Sequence, residues 1–357
     1  MSLNIVNPFV KFGAGGGGSG DPMFWQILAR GSGSANDYDS GTFTAKENLL
    51  VLCADVDGSG NNAHTLRMGT GGSIDTGKNY NFRYNVDGGS DGGLYEWYEI
   101  AGQVPPNGSK CGAFNMYFIE NNSITGSNWE KYINGFSTNS NNTTSIGTAP
   151  RRANITGKWS NTSDCNIVGI HNDDSGSMSS ASEILVLGYD SGDTSGDDMT
   201  ELGTTVLTGG ADSIDLTLDA SKKWMFVQAY LIADGNIRTD MTFNNSTGTA
   251  YARRRSNDGA SDSTAVNETT IDVLGDEDKD KFIEMWVCND HDNVDNAFVI
   301  GNIATNNADG SDNPPSRCTF VAKWDNGGNA ITSIKITNTG ASGDYDTGSS
   351  LSAWGVS

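Results

Sequence analysis

Short stretches of this sequence approach motifs that bind phosphate or activate a nucleophile. Residues 72–79 come within one residue of a P-loop, but Asn79 stands where a Ser or Thr would hold magnesium. Residues 88–92 fit the GxSxG pattern of a nucleophile elbow, and residues 13–18 fit GxGxxG. Both patterns require a helix behind a strand, and the flanking residues predict none. We therefore expect neither nucleotide binding nor acyl-transfer chemistry.

Acidic and histidine side chains are the remaining candidates for metal binding. Residues 55–61 resemble the front half of a calcium loop, but Leu66 stands where the closing Glu belongs. Residues 276–280 form a second alternating acidic row, and solvated acidic turns are the alternative explanation of both runs. The three histidines share no metal-ligand spacing and are expected at the surface: His64, His171 and His291. The sequence assigns no catalytic, cofactor-binding or metal-binding residue.

Composition narrows the class of partner. The 357 residues carry a formal net charge of −22, which argues against nucleic acid because phosphate binding needs clustered Lys and Arg. Such an acidic surface stays soluble in salty media and is compatible with a marine origin. Five cysteines form no CxxC pair, and no apolar run approaches a membrane span. The first residues lack a signal-peptide pattern, so we expect synthesis in the cytoplasm and no membrane insertion.

An internal repeat organises the chain. Residues 77–91 align without a gap on residues 248–262, with Gly, Tyr, Arg, Asp-Gly and Ser-Asp in common. Residues 150–159 align on residues 315–324 and share Pro, Arg and Lys-Trp. Both blocks recur in the same order, which predicts a tandem duplication.

The elements that must position these blocks are strands. Short apolar runs alternate with Gly/Asn/Asp clusters, and residues 213–218 alternate apolar with polar side chains. We predict an all-β protein of two tandem antiparallel β-sandwich, jelly-roll-like domains. The predicted divisions are a docking arm with a Gly-rich hinge (1–22), domain 1 (23–189), an acidic linker (190–198) and domain 2 (199–357). Domain 2 is expected to fold alone.

A cation and an indole recur together in both copies. Arg152 precedes Lys158-Trp159 in the first copy, and Arg317 precedes Lys323-Trp324 in the second. A cation beside an indole can bind a ligand or hold a loop in place. Because the cation and the indole are present in both copies, a role in maintaining the fold is favoured over ligand binding.

The second copy resembles a recurrent domain in virion proteins of marine tailed phages. The resemblance rests on residues 241–251, 255–259, 322–324 and 334–340, and it is weaker in the first copy. It implies a structural part of the particle, without indicating head or tail.

Two functions follow from this resemblance. The first is a capsid decoration or cement protein that contacts the major capsid protein or other virion proteins through its N-terminal arm, as a homo-oligomer. The alternative is a tail or head appendage that binds host surface glycans through Tyr95, Trp97 and Tyr98. The sequence predicts no enzyme and no cofactor.

Deletion of residues 2–20 tests the arm. Val6, Phe9, Val10 and Phe12 precede a glycine tether outside both repeats, and burying four such groups in a partner contributes roughly 6 kcal/mol before the cost of ordering the arm. We expect the deleted protein to fold but to be lost from purified particles, as measured by immunoblotting. Unchanged incorporation would exclude the arm as the attachment point.

Overall fold

The computed structural model describes residues 25–34, 36–59, 63–101, 112–121, 130–141, 145–193, 198–277, 279–289, 296–305, 315–325, 327–340 and 342–357. These residues form strands and turns and no helix. The all-β prediction is therefore confirmed, and all paired strands are antiparallel. In the described ranges there is accordingly no apolar helix with the length to cross a bilayer. The docking arm lies outside the described residues.

Fourteen strands belong to the first half of the chain. They are β1 (Gln26–Gly33), β2 (Asp37–Asp39), β3 (Asn48–Ser59), β4 (His64–Thr70), β5 (Ser73–Ile74), β6 (Tyr80–Val86), β7 (Gly92–Trp97), β8 (Ile100–Ala101), β9 (Gly112–Glu120), β10 (Lys131–Asn139), β11 (Arg151–Trp159), β12 (Ile167–Asn172), β13 (Ser177–Met178) and β14 (Ser182–Tyr189).

Fourteen further strands belong to the second half. They are β15 (Thr200–Val206), β16 (Ser213–Thr217), β17 (Trp224–Leu231), β18 (Ala233–Asp234), β19 (Ile237–Phe243), β20 (Tyr251–Asn257), β21 (Ser263–Glu268), β22 (Ile271–Glu277), β23 (Lys281–Cys288), β24 (Asn296–Thr305), β25 (Ser316–Asp325), β26 (Ser333–Asn338), β27 (Asp344–Tyr345) and β28 (Ser350–Val356).

Each half contains a large sheet and a smaller sheet. The first large sheet has the order β1-β14-β3-β9-β10-β11-β6-β7, with β13 beside β3, and the second has the order β15-β28-β17-β23-β24-β25-β20-β21. The smaller sheets are β2-β12-β4-β5, with β8 beside β4, and β16-β26-β19-β22; β18 pairs with β27 alone. The large sheets thus place their strands in the same rank order along the chain. This equivalence supports the predicted duplication; the duplication and the domain boundaries stay predictions.

A separate apolar core fills each sandwich. In β16, Ile214 and Leu216 are buried while their neighbours are exposed, which confirms the predicted period-2 strand. In the first half, Val51 of the large sheet shares a core with Leu66 and Met68 of the smaller sheet. Such facing apolar surfaces are what hold two sheets together.

A third apolar layer joins the two halves. Side chains on the outer faces of both large sheets form one buried cluster, with Phe114 and Trp224 in contact at 5.7 Å between ring centroids. Leu50 and Leu52 of β3 contribute to this layer, whereas the intervening Val51 faces the inner core. The two large sheets therefore pack back to back. The shared apolar layer also contains Met116, Leu185, Leu187, Phe226, Trp286, Phe298, Ile300 and Trp354.

The shared layer bears on the expectation that the second domain folds alone, which stays a prediction. Sequence patterning showed apolar strands, but it did not show that both faces of the large sheets are buried. The segment predicted as a linker is also attached to the first half where it is described. Lys46 Nζ lies 2.9 Å from Asp190 and 3.0 Å from Asp193, and Asp198 accepts a hydrogen bond from the backbone of Ile27.

We expect residues 199–357 expressed alone to self-associate, because Trp286, Phe226 and Ile300 lose their cover. Analytical ultracentrifugation of the fragment should show concentration-dependent association. The same fragment carrying Phe226→Asp and Ile300→Asp should associate less. A fragment that stays monomeric and unfolds at the temperature of the full chain would contradict the shared core.

Candidate functional site

The paired indoles of the repeat serve the fold. Trp159 stacks on Tyr80 with ring centroids 6.3 Å apart, and Trp324 stacks on Tyr251 at 6.1 Å. All four rings are buried, and the indole N–H of Trp159 donates to Asp75 at 2.8 Å. The expectation of a structural role is confirmed for these two tryptophans.

Two cations of these blocks, Arg152 and Lys323, contact the opposite half, as does Arg254 of the other repeated block. Arg152 Nη2 lies 2.6 Å from Asp262, and their side chains are only 5% and 2% exposed. Arg254 Nε lies 3.2 Å from Asp87 and also donates to the carbonyl of Pro150. Buried Lys323 donates to the carbonyl of Ser140 at 2.9 Å. These polar contacts border the apolar layer.

The resemblance of residues 55–61 to a calcium loop fails at its first residue. Asp55 is buried and accepts hydrogen bonds from Tyr38 and Asn115, so its carboxylate faces the protein interior. His64 lies 3.3 Å from Asp55 and is also buried, which corrects the expectation of a surface histidine. Burial raises the pKa of Tyr38 well above its ordinary value, so it remains a donor to this carboxylate. Sequence spacing could not show which face of the strand Asp55 occupies.

The second acidic row gives no calcium site in the described part. The Asp280 carboxylate accepts a hydrogen bond from the backbone of Ala233 at 3.0 Å, and the side chains of 276 and 278 lie outside the described residues.

One cluster has side chains suited to a metal. Glu99, His171 and Asp173 bring one potential ligand atom each within 4.8 Å of one another. Arg67, however, places Nε and Nη2 at 3.0 and 2.9 Å from Glu99 Oε2, and the His171 ring contacts Asp37 at 2.5 Å. Desolvation raises the pKa of Glu99 against the opposing effect of Arg67. An arginine already supplies positive charge here, so these groups form an ion network that does not favour a cation.

A groove lies on the outer face of the first large sheet. There β10, β11, β6 and β7 carry polar side chains on the face that the apolar layer covers elsewhere in the sheet. Tyr132, Lys158 and Asn81 lie opposite one another across three strands, and Thr156, Arg83 and Gly93 form the next row. Side chains of such rows share one face of a sheet.

Aromatic side chains border this groove. Tyr95 is 80% exposed and Tyr132 is 51% exposed, and Leu94 lies beside them. The groove has a volume of about 450 Å³, and its polar lining includes Arg83, Asn81 and Lys158. We call it the tyrosine groove.

A second cleft adjoins the tyrosine groove and is built by both halves. Arg83, Asp91 and Thr156 line both cavities. The cleft has a volume of about 510 Å³, and equivalent residues of the two copies face it, including Arg152 with Arg317 and Gly88 with Gly259. We call it the interdomain cleft.

The structure separates the aromatic residues that the sequence grouped. Tyr95 lines the tyrosine groove, whereas Trp97 packs against the core of the first half. Tyr98 lies under Lys78, the lysine of the incomplete P-loop, with 5.4 Å from Nζ to the ring centroid. Tyr132 and Arg83 were missed. The sequence carried no clear signal for Tyr132; in the structure it is the exposed residue between buried Lys131 and Ile133.

Residues 88–92 form part of the turn into β7, where Gly88 has φ of +70°. A strand follows this turn, so the nucleophile-elbow geometry is absent and the sequence expectation holds.

Comparisons with known proteins do not assign this chain to a family. No family model matches the chain, and no curated protein sequence matches it. Among solved structures, the LG1-3 region of the laminin α2 chain aligns over 90% of this chain and 64% of that chain, with 10% identity and a TM-score of 0.19. Domains LG4-5 of the mouse laminin α1 chain align over 96% and 93%, with 9% identity and a TM-score of 0.19. Alignments with TM-scores this low do not support any statement about the fold or the function of this chain.

The buried ion pair between Arg152 and Asp262 can be tested by comparing two aspartates that the repeat aligns. Asp262→Ala leaves the Arg152 guanidinium buried without its carboxylate, which should cost about 3–5 kcal/mol of unfolding free energy. Asp91, the equivalent residue of the first copy, is exposed, so Asp91→Ala should change stability by less than about 0.5 kcal/mol. Urea denaturation measures both; equal effects would contradict this assignment.

Proposed function

We propose that this chain is a non-enzymatic binding protein that holds a host surface glycan in the tyrosine groove, as an appendage of a phage particle. The observation that carries the proposal is the exposure of Tyr95 and Tyr132 on either side of a groove with hydrogen-bonding side chains. Exposed aromatic side chains beside a concave polar surface commonly mark a binding site.

A sugar ring matches this combination. One face of a pyranose presents C–H groups that pack against an aromatic ring, while its hydroxyls need donors and acceptors. Tyr95 and Tyr132 supply the rings, and Asn81, Thr156 and Arg83 supply the polar groups. Strand pairing holds Tyr132, Thr156, Asn81 and Arg83 in register, so these residues need little ordering on binding. Tyr95 lies in a bulge of β7 beside them.

The groove also supports binding without hydrolysis. Glycoside hydrolysis commonly needs two carboxyl groups on opposite sides of the scissile bond. In the described part of the chain, Asp91 is the one carboxylate that lines the tyrosine groove. The expectation that the protein is not an enzyme therefore remains part of the proposal.

Attachment to a particle completes the proposal. The decoration role predicted from the sequence depends on the arm, which lies outside the described residues. Attachment through the arm and glycan binding through the groove are compatible, because the groove belongs to the rigid sheet of the first half.

Glycan-array binding of the full chain tests the proposal. We expect selective binding to one class of oligosaccharide, and Tyr95→Ala or Tyr132→Ala should weaken it about 10-fold through loss of roughly 1.4 kcal/mol of stacking. Tyr230→Ala, at an exposed tyrosine of the second half, is the matched control and should bind as the unmodified protein does. Absence of binding across the array, or binding that neither groove variant weakens, would exclude this function.

A further inference from the structure

The interdomain cleft contains positive charge that no described residue neutralises. The repeat aligns Arg83 with Arg254 and Arg152 with Arg317. Arg254 and Arg152 are paired with Asp87 and Asp262 at the interface. The described residues offer no ion pair or side-chain hydrogen bond to Arg83 or Arg317, and both line the cleft. One arginine of each aligned pair is thus ion-paired across the interface, and the other lines the cleft without such a partner in the described residues.

The charge balance of the lining favours an anion. Arg83, Arg152 and Arg317 line the cleft together with a single carboxylate, Asp91, and Asp262 neutralises Arg152. One positive charge therefore remains in a protein whose formal net charge is −22. Since the rest of the acidic surface repels anions, this cleft is a local exception.

The remaining lining suits a hydroxylated ligand. Asn85, Asn154, Ser256 and Thr319 provide donors and acceptors from both halves. Gly88 and Gly259 have φ of +70° and +76° and form tight turns. The missing side chain at Gly88 lets Asp262 approach its backbone, and the missing side chain at Gly259 leaves the Arg317 guanidinium uncovered on that side. A volume of about 510 Å³ is in the range of ordinary ligand pockets.

We propose that the interdomain cleft binds a carboxylate-bearing sugar, with the carboxylate at Arg83 and Arg317 and the neighbouring sugars extending into the tyrosine groove. A guanidinium presents paired N–H donors that match a carboxylate, which makes arginine the suitable cation. Because Arg83, Asp91 and Thr156 line both cavities, one oligosaccharide can occupy them together. The inference rests on the proposed function and specifies its ligand as an acidic glycan.

Calorimetric titration of the full chain tests this assignment with oligogalacturonate, a maltooligosaccharide of equal length and inorganic sulfate. The informative variant is Arg317→Gln, because Arg317 lines the interdomain cleft but not the tyrosine groove. Its side chain has no polar partner in the described residues, so the variant should fold normally. Arg30→Gln, at a partly exposed arginine paired with Glu183, is the charge-matched control.

We expect oligogalacturonate to bind more tightly than the maltooligosaccharide, and Arg317→Gln to weaken oligogalacturonate at least 10-fold without changing the maltooligosaccharide. Arg30→Gln should change neither. Unaltered oligogalacturonate binding by Arg317→Gln, or no binding of oligogalacturonate at all, overturns the acidic-sugar site. Binding of sulfate alone would also overturn it, because the cleft would then be a free-anion site.

The tyrosine variants separate this inference from the proposed function. If Arg317→Gln weakens oligogalacturonate but Tyr95→Ala does not, the acidic-sugar site stands and the tyrosine groove fails. If Tyr95→Ala weakens the maltooligosaccharide while oligogalacturonate does not bind, the groove stands and the acidic-sugar site fails.

Discussion

The rest of the structure depends on the burial of apolar side chains between the two large sheets. A sheet with one buried face needs apolar residues on that face alone, but Leu50, Val51 and Leu52 are all buried. Both faces of β3 are thus excluded from water, one by the smaller sheet and one by the second half. Because hydrophobic stabilisation grows with the apolar area removed from water, this shared layer makes the two halves one stable unit.

The edge of that layer determines where a ligand can bind. Towards β11, β6 and β7 the outer face of the first large sheet changes from leucine and methionine to Asn154, Thr156 and Lys158. Here the second half no longer covers the sheet fully, and both cavities open. The buried pairs Arg152–Asp262 and Arg254–Asp87 border the same region, so they fix the relative position of the two halves beside the cleft. Removing one partner of such a buried pair leaves an uncompensated charge, which is why separation of the two halves at this point is unfavourable.

Residues that the repeat aligns differ between the two halves in what they contact. Asp262 is buried against Arg152, whereas Asp91 is exposed beside Asn85. Tyr80 and Tyr251 keep the same stacking on Trp159 and Trp324. These stacked pairs in the two cores therefore make the same contacts in both halves, while the aligned acidic residues of the outer faces make different ones. At a symmetric interface, aligned residues of the two halves would have the same neighbours. Asp91 and Asp262 have different neighbours, so the interface is not symmetric at these residues.

The sequence by itself determined the all-β class, the repeated Lys-Trp blocks and the alternating strands such as β16, because these depend on local periodicity and on self-similarity. It also excluded the P-loop and the nucleophile elbow, since both need a local strand-helix context. It could not place Asp55 or His64 in the interior, because a one-residue change of register moves a side chain to the opposite face. It could not group Tyr95 with Tyr132 or Arg83 with Arg317, which lie far apart in the chain. Only the tertiary structure decided those groupings, because strand pairing and the packing of the two large sheets bring distant residues onto one surface.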